Sequence, residues 1–142
     1  MLALAHRDVL DDGRRVIRGR TARVLLAAWI ALLVAILVPW FDVTDHTHWS
    51  KVNWIPLGPP LRPFDIVANF AVFVPYGLLW RRSAFRSLWL GLPVAFALGV
   101  LLSVSAEAAQ LYSHSRIPSA TDVATNAVGI VVGWWGTRTE SS

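Results

Sequence analysis

Residues 88–112 read LWLGLPVAFALGVLLSVSAEAAQLY, and Glu107 is the one charged residue in that stretch. An α-helix needs about 20 predominantly apolar residues to cross the hydrocarbon core of a bilayer, and this run is long enough. A carboxylate within a membrane span is costly unless it is paired or solvated, so it marks a candidate functional site. The run therefore predicts a transmembrane helix with a functional group near its C-terminal end.

Three further apolar runs flank this one, and together they predict an all-α, four-helix transmembrane bundle. The predicted spans are about 22–40, 64–80, 88–112 and 121–137. The first run is interpreted as an uncleaved span and not a signal peptide, because no small-x-small cleavage site follows Pro39-Trp40-Phe41. The predicted domains are a basic N-terminal segment, 1–21, and a transmembrane domain, 22–137.

Composition supports a membrane protein and excludes several other classes. Hydrophobic residues make up 55% of the chain, above the roughly 45–50% that is usual in soluble domains. The net charge of +4 comes from basic residues at the ends of apolar runs, so no nucleic-acid partner is predicted. The absence of cysteine excludes disulfides and cysteine-based metal sites. No cofactor is predicted.

The distribution of lysine and arginine predicts the orientation in the cell membrane. Ten of the 13 basic residues fall on the side that holds both termini, and three fall on the other side. The positive-inside rule therefore predicts a multi-pass protein with cytoplasmic termini. The residues counted on the cytoplasmic side are Arg7, Arg14, Arg15, Arg18, Arg20, Arg23, Arg81, Arg82, Arg86 and Arg138, and those counted outside are Lys51, Arg62 and Arg116.

Polar side chains recur where the second and fourth runs begin. Asp65 and Asn69 share a helix face at i and i+4, as do Asp122 and Asn126. The repeated Asp-x-x-x-Asn pattern suggests two hairpins related by an axis along the membrane normal, as in parallel transporter repeats. The structural alternative is that each aspartate complements a helix dipole, with Ser119-x-x-Asp122 forming a capping box.

Glu107 requires a different explanation, because the dipole at a helix C-terminus disfavours a negative charge. One alternative is a structural pair of Glu107 with Arg116. The other is a proton donor in two-carboxylate hydrolysis of a glycosidic bond. In the second case the catalytic residues are Glu107 and, as base or nucleophile, Asp122 or Asp65. The predicted substrate-binding residues are Arg116, Asn69, Gln110, Asn126 and His114, with Gln110 and His114 on the Glu107 face.

The long link 41–63 contains aromatic residues and prolines, which favours a stiff interfacial segment that could cover the polar cluster. Its His46 and His48 lie near Asp42 and Asp45. Two loop histidines are more often solvated than metal-bound, so no metal site is predicted. In the last run, Gly129-x-x-x-Gly133 is expected to allow close helix packing.

Four segments of the chain resemble the VanZ-like family of small integral membrane proteins. They are residues 52–57 (VNWIPL), 69–77 (NFAVFVPYG), 105–110 (SAEAAQ) and 116–129 (RIPSATDVATNAVG). The resemblance extends from about Val24 to Trp135. It implies a helical membrane protein associated with teicoplanin resistance and a polar site. The matching positions are Asp65, Asn69, Glu107, Gln110, Arg116, Asp122 and Asn126.

These features lead to one preferred function and two alternatives. The preferred function is recognition, with or without hydrolysis, of a glycosylated or phosphorylated lipid headgroup at the extracytoplasmic leaflet. Membrane lipids or lipid-linked sugars are then the partners. The first alternative is a non-enzymatic envelope protein that binds or shields a cell-wall precursor and limits antibiotic access. The second is a transporter, which would require this small bundle to form a homo-oligomer.

Overall fold

The computed structural model describes residues 2–58, 62–83 and 88–136, and the side chains within 19–58, 62–83 and 91–136. Four helices account for most of these residues. They are α1 (Leu2–Leu37), α2 (Pro63–Ser83), α3 (Leu88–Gln110) and α4 (Ala120–Trp135). A short 3₁₀ turn, Trp49–Lys51, lies between α1 and α2. Within the described ranges the fold is all-helical without a strand, as predicted.

Three of the helices are long and apolar enough to cross a membrane. The candidate spans are Gly19–Leu37, Pro63–Ser83 and Gly91–Gln110. Helix α4 has 16 residues and is about 24 Å long at 1.5 Å per residue. The protein is therefore a membrane protein with three candidate spans and a shorter fourth helix. The cytoplasmic placement of both termini stays a prediction, and Arg86 and Arg138, which contributed to it, lie outside the described residues.

Several helix boundaries differ from the predicted spans, among them the end of α1 at Leu37 instead of about 40 and the end of α2 at Ser83 instead of about 80. Helix α1 runs without a break through the boundary predicted at residue 21. Helix α3 ends at Gln110 instead of Tyr112. The amides of Leu111, Tyr112 and Ser113 bond the carbonyls three residues earlier, at 3.0–3.2 Å. Such i→i−3 bonds tighten and close the final turn of an α-helix.

Helices α2 and α4 approach closely because glycines line their contact. A Cβ atom on Gly133 would collide with the carbonyl oxygen of Val74, and one on Gly77 would collide with that of Ile130. A Cβ on Gly129 would meet the carbonyl of Phe70. The expected packing role of Gly129-x-x-x-Gly133 is therefore confirmed. Within a bilayer, where apolar side chains gain little by leaving lipid, such close backbone contact is a main source of helix association.

Buried aromatic and aliphatic side chains fill the remaining space between the helices. Leu33, Phe73, Tyr76, Ile130 and Trp134 are almost fully buried together. The Tyr76 hydroxyl donates to the carbonyl of Ala95 at 3.1 Å. This bond connects α2 to α3 and satisfies the one polar atom of a buried tyrosine side chain.

One end of the bundle is the loop face, where α1 and α3 end and α2 and α4 begin. It carries the 41–58 segment, from the α1–α2 connection, and the 111–119 link between α3 and α4. Backbone bridges pair Val43 with Ser113 and Asn53 with Ser119. The two connections therefore contact each other directly and bring the polar ends of three helices together.

We expect Gly133→Ala to destabilise the protein by about 1–3 kcal/mol, the usual cost of overpacking, because the new methyl group meets the backbone of α2. The matched control is Gly136→Ala, since a Cβ there meets nothing within 4 Å. Unfolding of both variants in detergent micelles, followed by circular dichroism, measures the difference. Equal stability of the two variants would contradict the close α2–α4 contact.

Candidate functional site

The 41–58 segment is held on the loop face by backbone hydrogen bonds to the 111–119 link and the start of α4. The Thr44 amide donates to the Tyr112 carbonyl at 2.7 Å, and the Asn53 amide donates to the Pro118 carbonyl at 2.9 Å. The Leu57 amide donates to the Thr121 hydroxyl at 2.9 Å. The segment predicted to cover the polar cluster thus lies against the N-terminal end of α4.

Asp42, which belongs to the 41–58 segment, also binds the 111–119 link through its side chain. Its Oδ2 accepts from the Ser113 hydroxyl at 2.6 Å, the Ser115 hydroxyl at 2.6 Å and the Ser115 amide at 2.8 Å. Ser113 in turn accepts from the Arg116 amide at 3.1 Å. These hydrogen bonds, chiefly those from Ser113 and Ser115, hold the pKa of Asp42 well below its ordinary value.

A cleft of about 360 Å³ lies between the 41–58 segment and the first turns of α2 and α4. Two cationic side chains, Lys51 and Arg62, line it together with two carboxylates, Asp65 and Asp122. The remaining lining residues are Val52, Asn53, Gly58, Ile66, Ile117, Ser119 and Thr121. Both signs of charge therefore face a space large enough for a small polar group.

The aspartates at the starts of α2 and α4 are neighbours, because both helices begin at the loop face. Asp65 lies 3.8 Å from the Arg62 guanidinium, and its side chain is 44% exposed. Asp122 is close enough to Asp65 and Arg116 to interact electrostatically, and the Asn69 side chain lies beside its carboxyl group. The two Asp-x-x-x-Asn motifs thus meet through Asn69 and Asp122.

Glu107 contacts the other end of the same cluster. Its Oε2 accepts from the Ser119 amide at 2.7 Å, and its carboxyl group interacts electrostatically with Asp122 and Arg116. Ser119 is the N-cap of α4, and its hydroxyl accepts from the Thr121 amide at 3.1 Å. Glu107 therefore joins the end of α3 to the beginning of α4 while lying beside the aspartates.

None of the five predicted binding residues is part of the cleft lining, and neither is Glu107. Gln110 is buried and donates to the Leu37 carbonyl at 3.2 Å. Asn126 is buried in the bundle and donates to the Ser103 hydroxyl at 2.8 Å. His114 lies beyond the end of α3, beside His46 and His48, because the helix does not continue to carry it on the Glu107 face. Arg116 is exposed next to the acids. The substrate-binding roles of these four residues and of Asn69 stay predictions.

Sequence reasoning missed several residues that the loop face depends on. Asp42 was considered only as a neighbour of two histidines, and Lys51 and Arg62 only as charges in a topology count. Leu57 adopts a positive φ of 59°, a conformation that is uncommon for residues other than glycine. A basic residue just before a helix and a Trp-Ser-Lys turn were the available signals for the two cations, and neither is specific.

Comparison with known proteins identifies the family. A family model described as VanZ/LLP1 matches residues 19–139, and the chain belongs to that family. No curated protein and no solved structure gave a significant match. The family match agrees with the resemblance drawn from the four sequence segments and covers the whole of the loop face.

We expect Asp42→Asn to lower the thermal midpoint, because the variant loses the anionic acceptor of three hydrogen bonds. The pKa of Asp42 is lowered in the folded protein, so its ionised form contributes stability that is present above the ordinary value of 3.8 and lost as the pH falls through the lowered pKa. The midpoint difference between wild type and variant should be constant from about pH 7 to about pH 5 and shrink below pH 3.8.

Scanning calorimetry in detergent across this pH range measures that difference. The buffer contains a metal chelator, so that no metal ion bound to the protein affects the midpoint. Asp45→Asn is the comparison variant: the Asp45 carboxylate is 98% exposed and bonds one side chain, the His46 ring, so a smaller difference is expected. A difference that persisted unchanged to the most acid pH would contradict a stabilising ionised Asp42.

Proposed function

We propose that this member of the VanZ/LLP1 family binds the phosphorylated or glycosylated headgroup of a lipid in the cleft of the loop face, at the extracytoplasmic leaflet. The observation that carries the proposal is the lining of the cleft. Lys51 and Arg62 provide positive charge, while Asp65 and Asp122 provide hydrogen-bond acceptors. Phosphate oxygens of a headgroup would pair with Lys51 and Arg62, and sugar hydroxyls would donate hydrogen bonds to Asp65 and Asp122.

The position of the cleft supports a lipid as the ligand. It lies at the ends of helices long and apolar enough to cross a membrane, where a headgroup is the first polar group available. The side chains of Trp49 and Trp54 stack in parallel with centroids 6.1 Å apart and are mostly exposed. Exposed tryptophans are typical of the membrane–water interface.

We further propose that the protein hydrolyses the bound headgroup. Glu107, Asp122 and Asp65 form a series of carboxyl groups in which neighbours interact electrostatically. In two-carboxylate hydrolysis one group protonates the leaving oxygen, and the other acts as base or nucleophile. Glu107 is assigned the acid role, and Asp122 or Asp65 the second role. Asn69, which lies beside Asp122, is assigned the role of orienting it.

A non-enzymatic role is the second candidate, and one observation favours it. The Glu107 carboxylate already accepts the Ser119 amide and so joins α3 to α4. In this alternative Glu107 is structural, and the protein binds or shields a cell-wall precursor and thereby lowers susceptibility to a teicoplanin-type glycopeptide.

We expect Arg62→Gln to weaken headgroup binding about tenfold or more, since a hydrogen bond to a charged group contributes about 1.5–3 kcal/mol. The probe is a polyprenyl-phosphate-linked sugar in nanodiscs, compared with nanodiscs of zwitterionic lipid alone. The matched control is Arg23→Gln, because Arg23 is exposed on α1 outside the cleft lining. Equal affinity of both variants and the wild type would contradict headgroup binding in this cleft.

We expect Glu107→Gln to retain binding and lower hydrolysis about 10²–10⁴-fold, the usual contribution of a general acid. The glutamine carbonyl can still accept the Ser119 amide, so the fold is preserved. Release of the sugar from the same nanodisc-bound lipid measures the reaction. An unchanged rate would remove Glu107 from the mechanism. Binding without turnover in the wild type, combined with lower teicoplanin susceptibility on expression, would select the non-enzymatic role.

A further inference from the structure

Three histidines that are far apart in sequence meet on the loop face. Ring centroids of His46 and His48 lie 4.7 Å apart, those of His48 and His114 lie 4.7 Å apart, and those of His46 and His114 lie 5.6 Å apart. One ring nitrogen from each lies within 4.8 Å of the others. None of the three lines the cleft. The cluster therefore forms a second chemical site beside the proposed one.

Hydrogen bonds already fix the tautomers of two of these rings. Nδ1 of His48 lies 3.2 Å from the carbonyl oxygen of Leu111, which can only accept, so this nitrogen carries the hydrogen. Nδ1 of His46 lies 2.8 Å from the Asp45 carboxylate, which likewise accepts. Nε2 of each neutral ring is then left with its lone pair. Metal-binding histidines nearly always donate their other N–H to a carbonyl or carboxylate in this way.

Backbone contacts hold all three residues in place without a ligand. The His48 amide donates to the Leu111 carbonyl at 2.8 Å, and the His46 carbonyl accepts from the Thr44 hydroxyl at 2.7 Å. The His114 carbonyl accepts from the Lys51 ammonium at 3.1 Å. Little conformational freedom of the main chain is therefore lost when a ligand binds, which favours affinity.

The charge around the cluster favours a cation. The carboxylates of Asp42 and Asp45 both lie close enough to His114 to interact electrostatically. They offset the positive charge that Lys51 brings to the same link. Tetrahedral zinc with Zn–N bonds of about 2.0–2.1 Å places its ligand nitrogens about 3.4 Å apart. Small side-chain rotations close the remaining distance, since two of the rings are exposed and the third is only half-buried.

We propose that His46, His48 and His114 bind a divalent transition-metal ion of the zinc class. Three imidazoles suit Zn²⁺, Cu²⁺ or Ni²⁺ better than Mg²⁺ or Ca²⁺, which prefer oxygen ligands. Two ligands come from the 41–58 segment and one from the 111–119 link. The ion therefore links the two connections of the loop face and holds the 41–58 segment in place beside the cleft.

The test is titration of the full-length chain, purified in detergent through a histidine-free tag, with Zn²⁺ in competition with a chromophoric chelator. We expect one Zn²⁺ per chain. His48→Gln and His114→Gln should each weaken binding at least tenfold. His6→Gln is the matched control and should leave the affinity unchanged, because His6 is the remaining histidine of the sequence and is not one of the three proposed ligands.

Two further measurements test the metal site even if one of the variants is destabilised. Cu²⁺ bound in place of zinc gives an electron paramagnetic resonance spectrum whose nitrogen splittings count the imidazoles. We expect three bound imidazoles in the wild type and two in His46→Gln. This variant is chosen because the His46 ring is exposed. Zn²⁺ should also slow amide exchange in both connections. Absence of zinc binding, equal affinity of the wild type and His114→Gln, or fewer than three bound imidazoles in the wild type would each overturn the proposal.

Discussion

The close approach of α2 and α4 is the contact on which the loop face depends. Glycines at positions 77, 129 and 133 let each helix pack against the backbone of the other, and this contact sets the distance between their first turns. That distance brings Asn69 of α2 beside Asp122 of α4. Larger side chains at these positions would separate Asp65 from Asp122 and widen the cleft between them. A packing contact near the middle of the bundle thus determines the electrostatics at its end.

Much of the fold was predictable, because apolar runs with few charges have few alternatives in a bilayer. Four helices followed from the apolar runs, the packing role followed from Gly129-x-x-x-Gly133, and a polar site at the helix ends followed from Glu107, Asp65 and Asp122. The helix boundaries were less accurate. The i→i−3 bonds that end α3 after Gln110 leave no periodic signal in a run that remains apolar to Tyr112.

The residues that the sequence did not indicate are those whose partners are distant in the chain. Asp42 bonds Ser113 and Ser115, and His48 bonds Leu111. Neither pairing has a fixed spacing that a motif could reveal. His114 shows the difference most clearly. Its distance from Glu107 suggested a helix face, whereas its neighbours in space are two histidines from the α1–α2 connection. Loop–loop contacts of this kind become visible only when the helices have placed both connections at one end.

The shortness of α4 has a consequence for the surrounding bilayer. At about 24 Å the helix is shorter than a hydrocarbon core of about 30 Å. Such hydrophobic mismatch is accommodated by local thinning of the membrane or by submerging one end of the helix. If the N-terminal end is the one submerged, Asp122 and the mouth of the cleft lie at or below the level of the neighbouring glycerol groups. A lipid diffusing in the leaflet would then reach the carboxylates sideways, without first leaving the membrane for water.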